Sequence, residues 1–358
     1  MRSELDGISI VICTYKGEEE LPGCLAAIQD QKWHGNLEII VVNDDPNIEL
    51  VVDTQQPFPV NVLNNKANLG PAGARNVGIR HARFSLVAFT DDDCRPHPEW
   101  LQELAFTINN GDSAVAAGGK TLPQDSSSIV LRYLSHNNPI QPLELEVGGH
   151  RSNLSRLISY AQSLVQSGTK AKSDIIRPVY SLPSANLAVK TAVILDLGMF
   201  DEEIEFSGED QDLCRRLLLK YPAGIIYNPS AVVYHKYRKG LRDTLRRSKA
   251  YAEGNFALRL KWPKMGLVVF PTPIVWFVAS VTLGVFQTNL IWLPSALLPL
   301  CYPKYLQTAF KSSAIEPLIY FSINFLQDCW ANFGLFNAIF SRLFTSSHRS
   351  QRVNREDK

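Results

Sequence analysis

An open α/β fold with a mostly parallel sheet, followed by a hydrophobic helical region, is what three features of this sequence predict. Through the first 120 residues, short apolar strand patterns alternate with helical ones, as β-α-β units require. The strand-like runs end in polar and acidic residues, most pointedly "SLVAFTDDDCRPHP" over 85–98, and open α/β sheets place their ligands outside the carboxyl ends of their strands. Finally, 266–286 and 287–303 contain no charged residue at all.

Taken in order, "ISIVICTY" (8–15) reads as a strand, "EEELPGCLAAIQDQ" (18–31) as a helix, and "LEIIVVNDD" (37–45) and "PVNVLNN" (59–65) as two more strands. "GPAGARNVGIRHA" (70–82) opens with Gly and Pro and continues as a helix that delivers the chain to the strand at 85. A helix over 98–110 and a strand in "SAVAAGGK" (113–120) follow. From 123 to 180 the text is irregular, with one helix expected near 153–167, and a stretch of this length reads as a lid or acceptor-side insertion. Regular patterning returns with "SANLAVKTAVILDLGMFDE" (184–202) and with "GEDQDLCRRLLLKYPAGIIYNPSAVVYHKY" (208–237). The latter reads as an acidic helix start, its helix, and the strands "GIIYN" and "AVVYH".

The chain has 358 residues, 45% of them apolar, and a net charge of +1. That is enough for a substantial core, and the balanced charge implies no general affinity for polyanions, so nucleic acid is not an expected partner. Six cysteines show neither CxxC nor CxxH spacing, and no signal-peptide pattern precedes them. Reduced thiols in a cytosolic compartment and no structural zinc are therefore expected.

The last third reads as membrane-associated. The stretch 266–286 is long enough to span a bilayer and 287–303 nearly so. Arg259, Lys261 and Lys264 precede the pair and Lys304 and Lys311 follow it, while "QTN" between them is uncharged. This pattern suits a helical hairpin with both ends in the cytoplasm; a buried helical pair is the soluble alternative. The expected organisation is a catalytic domain over 1–240, an amphipathic linker over 241–264 with Arg246, Arg247 and Lys249 toward lipid phosphates, and hydrophobic helices over 265–345. Within these, 315–340 reads as interfacial, and 346–358 as a disordered polar tail.

Two acidic clusters carry the chemistry. Adjacent carboxylates at Asp91, Asp92 and Asp93 repel one another unless water or a cation neutralises them; a solvated turn and a cation site both fit. "GED" places Glu209 and Asp210 at a helix start, where the helix dipole favours acids with or without a catalytic role.

Together, "SIVICTYKGEEELPGCLAAI", "IIVVNDDPN", "NLGPAGARNVGI", "AFTDDDCRPHPEWL", "SANLAVKT...LGMFDE" and "GEDQDLCRRL" resemble, in order over about 7–237, the family 2 glycosyltransferases. These are inverting enzymes with the GT-A nucleotide-sugar fold. The resemblance implies a divalent cation, Mg or Mn, on Asp93 and Asp91 with His235 completing the shell. It puts the donor nucleotide, UDP favoured, against Thr14, Tyr15 and Asp44, with Arg75, Asn76 and Asp91 near it. Asp92 is then expected to point elsewhere. Asp210 is implied as general base, with Glu209 on an acceptor hydroxyl or orienting the loop, and Arg216 as an ion-pair brace for the acidic start. Asp45 and Pro46 depart from the family's usual Gly and Ser, which leaves the identity of the base-reading acid open between Asp44 and Asp45. A glycan or lipid-linked acceptor at the membrane is implied. No QxxRW segment of processive synthases is present. A catalytically silent scaffold of the same fold is the competing reading, and a nucleotidyltransferase fits poorly because the Gly-rich nucleotide loop is missing.

Overall fold

The computed structural model describes residues 6–52, 57–111, 113–145, 174–204, 207–263 and 272–356, with side chains through 342. The helix expected near 153–167 lies outside the described residues. The chain divides into two units, Met1–Gly149 with Thr169–Tyr237, and His150–Gly168 with Arg238–Lys358.

Among the described residues of the first unit, nine strands form one sheet: β1 (Ile8–Thr14), β2 (Leu37–Asn43), β3 (Val60–Asn64), β4 (Leu86–Asp91), β5 (Cys94–Pro96), β6 (Ala116–Pro123), β7 (Arg177–Pro178), β8 (Leu187–Lys190) and β9 (Ile225–His235). The order is β3-β2-β1-β4-β8-β6-β9-β5, with β7 also on β9. β3, β2, β1 and β4 are all parallel, β8 enters antiparallel to β4 and β6, and β6 and β9 run parallel. The two expected strands "GIIYN" and "AVVYH" are one strand, β9. Its pairing with β6 shifts register between Gly119 and Thr121, so the proline-bearing break in the text is a bulge and not a turn.

Strand alternation explains the two cores. Ile8, Ile10 and Ile12 of β1 with Leu37, Ile39 and Val41 of β2 face one way, against helices α1 (Leu21–Gln29) and α3 (Trp100–Asn110). Val11, Ile40, Val42, Val87 and Phe89 face the other. There they meet α2 (Gly70–His81), α5 (Thr191–Asp196) and α6 (Glu209–Lys220). Another helix, α4 (Ile129–His136), starts at Ser128, whose hydroxyl accepts the Leu131 N–H at 3.2 Å. With helices on both faces, the central strands carry almost unbroken apolar runs.

The second unit is helical: α7 (Leu241–Lys261), α8 (Thr272–Phe286), α9 (Leu293–Leu297), α10 (Pro303–Ser312) and α11 (Pro317–Glu356). The expected linker is thus a 21-residue helix, packed along α11. Gln327 Nε2 donates to Ser248 Oγ at 3.0 Å and Asn337 Nδ2 to Glu253 Oε1 at 2.9 Å. A Cβ on Gly334 would stand 2.5 Å from the Lys249 carbonyl oxygen, so glycine permits this crossing.

The expected hydrophobic hairpin does not form as two spans. In the second stretch the chain passes through a 3-10 turn at Thr288–Leu290, the short α9 and a 3-10 turn at Leu298–Cys301. Pro294 and Pro299 each lack the N–H that a continuing helix needs. Among the described residues, no helix is long and apolar enough to cross a membrane; the first half of the expected hairpin overlaps 264–271, outside the described residues. The 315–340 stretch forms most of α11, which continues to Glu356 through the segment expected to be a disordered tail.

Candidate active site

Parallel register sets the site. Thr14 lies beside Asn43, and Cys13 beside Asp91, so β1, β2 and β4 end together. β4 is followed at once by β5, whose Cys94 pairs with His235 at the end of β9. This pairing carries His235 to the aspartate cluster: Nε2 is 3.4 Å from Asp93 Oδ1. It also lets the Lys236 N–H donate to the Asp93 carbonyl at 2.9 Å.

Asp91, Asp93, Cys94 and His235 each bring a potential ligand atom within 4.8 Å of the others. Burial pushes the Cys94 thiol well above its ordinary value, and its Sγ lies 3.8 Å from Asp93 Oδ1, donating to it. A protonated thiol is no ligand for a hard cation. The remaining two carboxylates and one imidazole fit an oxygen-preferring divalent ion of the Mg or Mn class. Nothing in the sequence singles out Cys94, because its place in the cluster depends on pairing with the distant strand β9.

Arg75 joins this cluster to the acidic start of α6. Its Nη2 donates to Asp91 Oδ1 at 3.1 Å and its Nη1 to Glu209 Oε1 at 2.7 Å. Only 8% of its side chain is exposed. Burial pulls the guanidinium down, and the Asp91 and Glu209 carboxylates outweigh that pull and raise it. Arg75 therefore holds Asp91 and Glu209 to one another.

Asp210 lies in the first turn of α6. Its Oδ1 accepts the Gln211 N–H at 2.7 Å. Burial first, then the charge of Glu209, push its carboxyl up to about 7, with Arg75 pulling the other way. Gly208, at the helix start, has φ +100°, a left-handed conformation that a side chain would strain. Asp212 and Arg216 pair at 2.8 Å, and Arg216 Nη1 and Nη2 each donate at 2.7 Å to the carbonyls of Leu197 and Met199. The expected brace is present, and it also fixes the turn after α5.

The donor-side expectations divide. Thr14 Oγ1 donates to Asp92 Oδ2 at 2.5 Å, so Asp92 does not point away from the site but back to the end of β1. Burial, partly offset by the Thr14 hydrogen bond, raises Asp92 to about 6. Tyr15 is 51% exposed, with the Lys16 ammonium 5.2 Å from its ring centre; an exposed ring at a strand end is a surface on which a base can stack.

Asp44 and Asn76 have structural partners instead. Asp44 accepts Asn65 Nδ2 at 2.8 Å and the N–H groups of Leu69 and Gly70 at 2.9 Å each. It is buried and caps the start of α2. Asn76 exchanges hydrogen bonds with the backbone of Phe200 at 2.9 Å each way and donates to Glu202 Oε1 at 2.8 Å. It pins the "MFDE" segment. Asp45 is likewise buried and accepts from Asn47 at 3.0 and 2.9 Å.

Two family models match this chain, Glycosyl transferase family 2 over residues 9–141 and Glycosyl transferase family group 2 over 153–322. The chain belongs to the family 2 glycosyltransferases. Among curated relatives, it is 29% identical over 231 residues to the pre-mycofactocin glycosyltransferase of Mycobacterium tuberculosis, covering 63% of this chain and 43% of that one. It is 24% identical over 240 residues to the glucosyl-dolichyl phosphate glucuronosyltransferase of Haloferax volcanii, covering 64% and 69%. The chain thus spans less than half of the Mycobacterium relative's length. Its fold resembles the mannosyltransferase of Pyrobaculum calidifontis solved with GDP-Man and Mn2+, with a TM-score of 0.53 at 15% identity over 93% of this chain and 87% of that one. For a family 2 glycosyltransferase, the mostly parallel sheet with strand ends converging on an acidic cluster is the expected GT-A arrangement.

Proposed function

We propose that this chain is an inverting glycosyltransferase that moves a sugar from a nucleotide-sugar donor, a UDP-sugar in first place, to an acceptor hydroxyl, assisted by Mg or Mn. The observation that carries this reading is the buried Arg75 bridge between Asp91 and Glu209. It makes one site of two acidic motifs that lie far apart in the sequence. Neither a solvated turn nor a helix cap requires that bridge.

Asp91, Asp93 and His235 would hold the cation, which when bound supplies positive charge against the donor diphosphate. Tyr15 and Thr14 form the base side. Asp210 accepts the acceptor hydroxyl proton while that oxygen bonds to the anomeric carbon from the face opposite the nucleotide. The anomeric C–O bond to phosphate breaks and its electron pair leaves with the nucleoside diphosphate. A base whose pKa is about 7 suits this task, because at neutral pH a large fraction is ionised and still basic enough to take a proton. Arg75 holds Glu209 so that its carboxylate stays paired beside the base. A glycan or lipid-linked acceptor is the class we place here, since the hydrophobic second unit would keep such an acceptor near the enzyme.

Donor hydrolysis tests the proposal. Purified protein is incubated with UDP-, GDP- and dTDP-sugars, with Mn or with EDTA, beside Asp93→Ala and Asp210→Ala. Metal-dependent release of one nucleotide, lost in both variants, is expected. Absence of turnover together with absence of nucleotide binding by calorimetry would overturn it in favour of a silent scaffold.

A further inference from the structure

The second unit carries two features that the transfer reaction does not use. The first is an apolar surface that is exposed among the described residues. On α8, Ile274, Phe277, Val278, Val281 and Val285 are exposed along one side and Val275 and Phe286 on the next, so at about 100° per residue the exposed arc covers about half the helix circumference. It continues past the helix end: Val285, Phe286 and Trp292 are 80%, 82% and 74% exposed. Contiguous apolar surface of this kind marks an interaction site.

The second feature is charge. Residues 238–358 hold sixteen lysines and arginines against six aspartates and glutamates, a balance of +10, whereas residues 1–237 hold twenty against twenty-nine, a balance of −9. The whole-chain value of +1 conceals this segregation. No charge at all falls between Thr272 and Pro303, so the cations flank the apolar surface in sequence and never interrupt it.

We infer that the apolar surface of α8 through Trp292 seats in the hydrocarbon of an anionic lipid membrane. Charge complementarity selects this occupant: anionic headgroups attract a segment of +10, whereas two copies of that segment repel each other. Shape agrees, because side chains exposed over half a helix and around its tip suit a fluid that closes on all sides better than a flat protein face. The inference stands on the second unit alone and is independent of the transferase reading.

Flotation of the full chain with vesicles of phosphatidylcholine alone, or of phosphatidylcholine mixed with phosphatidylglycerol, tests it. The wild type is expected to float with the anionic vesicles, with binding that weakens as salt rises. The double variant Val285→Asp with Phe286→Asp should lower the bound fraction about tenfold or more on the anionic vesicles, since charged groups are strongly disfavoured in hydrocarbon. These two side chains are mostly exposed, so folding should survive, as far-UV circular dichroism would report. Arg242→Glu with Arg246→Glu, both at exposed positions, should weaken binding to the anionic vesicles and flatten its salt dependence. Wild type that stays unbound, or no effect of the Val285→Asp, Phe286→Asp double variant, would overturn the inference. A dimer in light scattering that the same variant dissociates, with no vesicle binding, would assign the surface to a second copy. Calorimetric titration of Mn-UDP on the same samples separates the two proposals, because lipid binding without nucleotide binding would sink only the transferase reading.

Discussion

At the scale of single residues, Asp210, as the proposed base, would trade stability for activity. Its folded pKa of about 7 lies above the ordinary value of 3.8, so the folded state holds this proton more tightly than the unfolded chain does. The resulting stabilisation is fully present below the unfolded pKa and is lost as pH rises through about 7. Asp210→Asn removes the cost of a desolvated carboxylate. Its melting temperature should exceed that of the wild type by a margin that grows from about pH 5 to about pH 8, while transfer falls by about 10²–10⁴. The wild-type rate should in turn rise with pH through the same region, as Asp210 ionises. Arg75 is the opposite case. Arg75→Met leaves Asp91 and Glu209 without their buried cation and should cost about 3–5 kcal/mol in denaturant unfolding, with Arg75→Lys recovering part of it through the retained charge.

Elements are where the sequence and its folded form diverge. Asp44 is implied as a base-recognising acid by the resemblance, and the Leu69 and Gly70 N–H groups it accepts give it a capping contact that its local sequence does not announce. Asp44→Ala should therefore lower stability by about 1–2 kcal/mol and leave the Mn-nucleotide dissociation constant nearly unchanged, as paired unfolding and calorimetric titrations would show. The 241–264 segment reads as an amphipathic linker, yet it is a helix packed against α11, where Gly334 meets the Lys249 backbone. Gly334→Ala puts a methyl group into the Lys249 carbonyl and should lower the melting temperature without altering nucleotide binding.

Across the whole molecule, charge is segregated rather than balanced. A chain of net +1 with a +10 segment should be retained by a sulfonate resin at neutral pH and low salt, and eluted as the screening length shortens. Flow-through without retention would show that the basic segment is masked. The same segregation separates two kinds of reading: motifs carry the catalytic unit, and composition carries the helical one.

Local sequence is enough to specify the alternation of strands and helices over about residues 8–120, the strand-end position of Thr14 and Asp91, and the candidacy of Asp93, Asp210 and His235. These follow from short-range periodicity and from motif spacing, which neighbouring residues encode. Packing in three dimensions was needed to bridge Asp91 to Glu209 through Arg75, to turn Asp92 to Thr14, to bring Cys94 into the aspartate cluster, and to commit Asp44 and Asn76 to the scaffold. Each of those outcomes rests on which of several partners a buried polar group finds across a long stretch of intervening chain. Desolvation makes that choice, since a buried polar group must be satisfied by whatever the packed elements bring within hydrogen-bond reach.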